Sequence, residues 1–317
     1  MAHVTFIHGI ANKPPKSELL RIWRDALEQA AFSLDLAAEG ISSDIVYWAD
    51  VLHENPMPPG SYENEEKTIV AEAQAENFEQ LSSIDFSGQN DDEWTLSLAN
   101  RLGLVVENGD LTLSENLAAD DELSSDLERI PLPGFVKDAF LKRFLKDVHH
   151  YLLNADFTPR PGETYRVQDE IRRRFVQAIE KGTEKGSPHI VVSHSMGTVV
   201  AYDCLKRVGE CPAVDHLITL GSPLGIDEIQ DKLQPGWTRS DGYPAGSVKH
   251  GWDNFFDKLD VVSRLDPYLA NDFRSENAKV VTDIAQSNNG AWRHDITKYL
   301  KGKHVSRGIA RALGLDR

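Results

Sequence analysis

The stretch "IVVSHSMGTVV" (190–200) changes character at its middle. Its first half, taken back to His189 as "HIVVSH" (189–194), is a short β-branched run of the kind that forms a strand buried on both faces. Its second half opens "MGTVVAYDCLKRV" (196–208), which reads as a helix, and one serine, Ser195, occupies the corner between them. A strand that turns straight into a helix is half of a strand–helix–strand unit, and such units imply a parallel sheet.

The pattern repeats outward from that corner. "HVTFIHG" (3–9), "DIVYWAD" (44–50), "DHLITLGSP" (215–223), "WDNFFD" (252–257) and "KVVTDIAQS" (279–287) read as further strands. Between them, "KSELLRIWRDALEQAAFSLDLAA" (16–38) places Leu19, Leu20, Trp23, Leu27, Ala30 and Ala31 at helical spacing. "GETYRVQDEIRRRFVQAIEKG" (162–182) and a segment from about Trp292 also read as helices. The expectation is an α/β fold: a mostly parallel central sheet of about six strands with helices on both faces. Residues 1–50 and 162–317 would form this core.

Residues 51–161 interrupt the alternation. They open with the connector "NPMPPGSY" (55–62), followed by helical patterns around 63–82, 92–102 and 135–153, with "PLPG" at 131–134. A structureless loop of this length is uncommon in a compact domain, so a mainly helical insertion capping the core is expected. Its Phe135, Phe140, Phe144 and Tyr151 would serve mostly as core.

Charge and composition narrow the partners. The net charge is −16, and residues 51–128 carry 19 Asp and Glu against only Lys67 and Arg101. Such a segment repels a phosphate backbone, which argues against nucleic-acid binding. No run approaches the roughly 18 apolar residues of a membrane span, so no integral membrane association is expected. "MAHVTFIHGI" (1–10) has a strand pattern and no signal-peptide pattern, and Cys204 and Cys211 are the only cysteines. Two reduced thiols and a cytoplasmic location follow as expectations. His149 and His150 lack the carboxylate or cysteine company of a metal site.

With Ser193 two residues before it and Gly197 two after, Ser195 fits the pattern G-x-S-x-G with serine in the first place. Small residues suit such a corner because strand and helix approach closely there. The alternative is a serine that merely caps the following helix. At this point the chain resembles the α/β-hydrolase superfamily, in its lipase and esterase branch. The likeness rests on "HSMG" (194–197), "FIHGI" (6–10) and "LITLGSPLG" (217–225), and it covers residues 1–50 and 162–300 but not the insertion.

The resemblance implies a serine hydrolase of carboxylic esters whose first two strands are missing. Ser195 would be the nucleophile, and the backbone N–H groups of Ile10 and Met196 would form the oxyanion hole. The triad acid follows the next-to-last strand, where Asp260 in "DVVS" (260–263) matches best and Asp257 is the runner-up. The base precedes the closing helix, where His294 lies in "QSNNGAWRHDITKYL" (286–300), with Tyr299 shortly after it. His8 would support the oxyanion loop, and His194 would pack beside the serine. The reading calls for a small-molecule ester substrate and no cofactor or metal. The same residues also serve amide or thioester hydrolysis and acyl transfer, and a non-catalytic binding protein on this fold is the remaining alternative.

Overall fold

A computed structural model describes residues 1–58, 89–107, 110–114, 134–276, 278–290 and 292–315. Six strands form one parallel sheet: β1 (His3–Ile7), β2 (Ser42–Val46), β3 (His189–His194), β4 (Val214–Leu220), β5 (Val248–Phe256) and β6 (Val281–Ala285). Their order is β6-β5-β4-β3-β1-β2, and every neighbouring pair is parallel. The longer helices among the described residues are α1 (Lys16–Glu28), α2 (Gln89–Arg101), α3 (Gly134–Leu152), α4 (Val167–Lys185), α5 (Met196–Arg207), α6 (Asp227–Leu233), α7 (Ile296–Lys301) and α8 (Lys303–Ala312).

The six strands expected from the sequence are all present, although the one read over 44–50 ends at Val46 and Ala49–Leu52 is helical. From β1 the chain steps outward to β2, then returns to β3 on the opposite side of β1 and continues toward β6. Connections therefore leave in opposite directions from the β1–β3 seam. In open parallel sheets, a crevice opens at the carboxyl ends of the strands at such a seam. The corner holding Ser195 lies at the carboxyl end of β3, beside the end of β1.

Side-chain alternation along the strands divides the interior in two. Val4, Phe6, Ile45, Ile190, Val192 and Ile218 meet α1, α7 and α8 on one face. Ile7, Val46, Val191, Leu217 and Trp252 meet α3, α4, α5 and α6 on the other. Helix α1 buries Leu19, Ile22, Trp23, Ala26 and Leu27, one stripe at helical spacing. Its Trp23 meets Phe6 edge-on at 5.4 Å.

Three helix boundaries differ from expectation. Helix α1 ends at Glu28, although the pattern ran to 38. The Ser33 hydroxyl donates to the Glu28 carbonyl, and the Asp35 carboxylate accepts from the N–H groups of Ala37 and Ala38. Such local bonds compete with the helical ladder. Residues 162–182 are not one helix: Glu163–Arg166 pairs back on Asp156–Arg160 through a turn at Gly162 (φ 82), and α4 starts at Val167. The expected boundary at 161/162 thus falls inside a hairpin turn. The last helical segment begins at Ile296 rather than Trp292, because the Asp295 carboxylate caps the Thr297 N–H.

Within 51–161, the described residues hold α2, α3, the short helix Ala49–Leu52 at its entrance and a hairpin of Leu104–Glu107 with Asp110–Leu113. The described part of the segment therefore combines helices with β-ribbons. The pattern at 63–82 lies outside the described residues. Trp94, Leu98, Phe140, Phe144 and Leu145 belong to the same buried cluster as Ile7, Val191 and Leu217, so the segment shares its core with the sheet. No helix among the described residues is long and apolar enough to cross a membrane.

Candidate active site

Ser195 stands at the first position before α5 with φ 54 and ψ −131, an uncommon conformation for a residue with a Cβ. Holding it costs about 1–3 kcal/mol, and the surroundings must enforce it. The Ser195 N–H donates to the Leu220 carbonyl at 3.0 Å, while the Thr198 hydroxyl donates to the Ser195 carbonyl at 2.7 Å. A Cβ on Gly197 would lie 2.5 Å from the His8 carbonyl oxygen, so the helix start can sit against β1 only with glycine there. Ser193 donates its hydroxyl to the Ile218 carbonyl at 2.9 Å, which ties the first motif position to β4.

The Ser195 side chain makes no capping hydrogen bond to α5. Its Oγ instead lies 2.8 Å from His294 Nε2. His294 Nδ1 lies 2.8 Å and 2.9 Å from the two carboxylate oxygens of Asp260. A carboxylate can only accept, so Nδ1 carries the proton and the Nε2 lone pair faces the Ser195 hydroxyl. Tyr299 donates its hydroxyl to Asp260 Oδ2 at 2.7 Å, and the Val262 N–H donates to Oδ1 at 2.8 Å. Ser195, Asp260 and His294 are 1%, 0% and 2% exposed. Burial alone would raise the Asp260 carboxyl. The charge of His294 and the bonds from His294, Tyr299 and Val262 outweigh it and hold the group at about 2.

Asp257 is directed elsewhere. It accepts from the N–H groups of Leu259 and Asn288 and from Arg293 Nη1 at 3.2 Å. Of the two carboxylates considered from the sequence, Asp260 is the one joined to His294.

The loop after β1 carries the other predicted elements. A Cβ on Gly9 would fall 2.6 Å from the Ser195 Cβ, so this loop lies directly against the serine. Ile10 and Met196 are both buried, and among the described residues neither backbone N–H has a protein acceptor. They flank Ser195, one across the β1–β3 seam and one at the start of α5, where the helix dipole favours negative charge. His8 Nε2 accepts from the Trp48 N–H at 3.0 Å, which leaves Nδ1–H to donate to the Gly9 carbonyl at 2.8 Å. His194 donates Nε2–H to the His294 carbonyl at 2.8 Å. Burial pushes both imidazoles well below their ordinary pKa, so each is a neutral, spoken-for group.

Two aromatic residues flank the His294 ring. Phe140 on α3 meets it edge-on at 5.5 Å and Trp292 at 6.0 Å, and the two contact each other at 4.7 Å. Of the four insertion aromatics singled out in the sequence, Phe144 is core and Phe135 is exposed. Tyr151 donates to the buried Asp203 carboxylate. Trp292, read from the sequence only as a helix start, was missed as a neighbour of His294, as was Asp147, whose carboxylate accepts the Ala11 N–H from 136 residues away. Local sequence carries no signal for such a contact. Among the described residues, no three His, Cys, Asp or Glu side chains are grouped to hold a metal ion. No protein-family model matches the chain, and no curated protein matches it.

Proposed function

We propose that this chain is a serine hydrolase of carboxylic esters, built on an α/β-hydrolase fold that lacks its first two strands and carries residues 51–161 as a cap. The observation that carries the reading is the buried chain Asp260–His294–Ser195, with hydrogen bonds of 2.8 Å at both imidazole nitrogens and a serine spared from helix capping. A helix-capping or purely structural serine has no need of such a partner.

The chemistry follows from the donors and acceptors. His294 Nε2 takes the hydroxyl proton as Ser195 Oγ attacks the ester carbonyl carbon. Asp260 fixes the tautomer and stabilises the imidazolium that forms. The N–H groups of Ile10 and Met196 bind the oxygen as it becomes negative. The imidazolium returns its proton to the departing alkoxide, leaving an acyl group on Ser195. Water, deprotonated by the same imidazole, then attacks the acyl carbon and releases the carboxylic acid. Phe140 and Trp292 give the base an apolar, aromatic surround. A cytoplasmic setting is part of the proposal, in keeping with Cys204 and Cys211 as free thiols.

Labelling with a fluorophosphonate probe tests the reading directly. The wild type is expected to become covalently labelled and to hydrolyse short p-nitrophenyl esters, and Ser195→Ala is expected to lose both. An unlabelled wild type, under conditions where a known serine esterase reacts, removes the proposal.

A further inference from the structure

The peptide plane that follows Ile10 is gripped by two charged side chains. The Ile10–Ala11 peptide is held at both edges. Its carbonyl accepts from the Lys13 ammonium at 2.6 Å, and its N–H donates to Asp147 Oδ2 at 3.0 Å. Lys13 and Asp147 are each only 4% exposed. Ala11 adopts φ 68, a left-handed conformation that a residue with a Cβ keeps only when its surroundings impose it. The preceding plane is also fixed, since the Gly9 carbonyl accepts from His8. The Lys13 carbonyl is anchored in turn by the Met57 N–H at 2.9 Å and the Tyr47 hydroxyl at 3.2 Å.

Charge-assisted bonds to a single peptide unit are stronger and more directional than neutral ones. Here a cation pulls on the carbonyl and an anion on the N–H of the same plane, so both orient it in one sense. That plane adjoins the Gly9–Ile10 peptide, whose N–H is the proposed donor. Rotation of the clamped plane would swing Ile10 and move the donor off the developing oxyanion.

We infer that Lys13 and Asp147 are positioning residues that fix the Ile10 N–H as an oxyanion donor. Because Asp147 lies on α3, the insertion completes the core's own machinery as well as covering it. The inference rests on the hydrolase reading above. A donor must be oriented before the charge develops, because reorienting it during reaction erases most of its benefit.

The test compares Asp147→Ala, Asp147→Asn and Lys13→Met with the wild type, in kcat and KM on a p-nitrophenyl ester and in the rate of fluorophosphonate labelling. Loss of the clamp is expected to lower kcat and labelling about 10- to 100-fold in Asp147→Ala and Lys13→Met, with KM nearly unchanged. Asp147→Asn keeps an oxygen that accepts the Ala11 N–H, and is expected to recover most of the rate. Folding is checked by near-ultraviolet circular dichroism, and if Asp147→Ala does not fold, Lys13→Met and Asp147→Asn carry the test. Wild-type kcat in the folded clamp variants, a loss confined to KM, or an Asp147→Asn as impaired as Asp147→Ala each overturns the inference. If the wild type labels at Ser195 while these variants match it, only the clamp falls. A wild type that does not label removes the hydrolase reading itself.

Discussion

Asp257 and Asp260 share one loop and the same deep burial, and their partners separate them. Asp260 faces His294 and Tyr299, whereas Asp257 faces Arg293 and two backbone N–H groups. The proposed roles predict different phenotypes. Asp260→Asn should lower kcat by about 10⁴-fold, because the imidazole loses the acceptor that sets its tautomer. Asp257→Ala should cost about 3 kcal/mol of stability by leaving the buried Arg293 guanidinium without its carboxylate, with a much smaller effect on any ester hydrolysis by the folded protein. Steady-state kinetics beside urea melts on both variants checks this, and a catalytic collapse in Asp257→Ala alone would exchange the roles. Acid titration adds a second readout. The Asp260 carboxyl is held at about 2 in the folded chain, below the roughly 3.9 of an unfolded aspartate. Its contribution to stability is therefore complete above about pH 4 and lost as pH falls toward about 2, about 2.6 kcal/mol in all. Unfolding free energies measured across that interval should fall more steeply for wild type than for Asp260→Asn. Sequence placed both aspartates after the right strand, but what distinguishes them is contact with Arg293 and Tyr299, more than thirty residues onward, which spacing does not encode.

Helices α3, α4 and α5 meet at one buried carboxylate. Asp203 on α5 accepts from the Tyr151 hydroxyl of α3 at 2.7 Å and from Arg172 Nε and Nη2 of α4 at 2.7 Å and 2.8 Å. Arg207 adds a bond at 3.0 Å from the next turn of α5. Asp203→Ala would leave a buried hydroxyl and two guanidinium groups without their acceptor and should destabilise by about 3–5 kcal/mol. Chemical denaturation measures it; a cost below about 1 kcal/mol would mean that water replaces the carboxylate and that the junction is held by apolar packing. The apolar stripes of these helices were legible in the sequence, because period and burial agree. The ribbons were not. "DFTPR" and "ETYR" are short and polar, and their pairing depends on a turn at Gly162 and on Arg160 reaching the carbonyls of Asp50, His53 and Glu54.

Across the whole molecule, one buried cluster runs from the sheet into α2 and α3. Chains that share a core unfold together, so calorimetry should show a single transition with equal calorimetric and van't Hoff enthalpies. Two resolved transitions would instead mark residues 51–161 as a separate cooperative unit. The sheet was readable because its central strands carry compact apolar runs between turn signals. The joining of insertion to core was hidden, since it depends on pairs such as Trp94 donating to the Glu228 carbonyl. That joining has a mechanical consequence. Tyr151 pins one end of α3 as a fulcrum, and Phe140 lies toward the other end, eleven residues or about 16 Å along the axis. A tilt of about 20° would carry Phe140 roughly 5 Å from His294, and carry Asp147, about 6 Å from the fulcrum, roughly 2 Å from Ala11. That is enough to part the Asp147 bond. On the proposed reading, a tilt that opened a path to His294 would slacken the donor loop in the same stroke, because Phe140 and Asp147 ride on one helix.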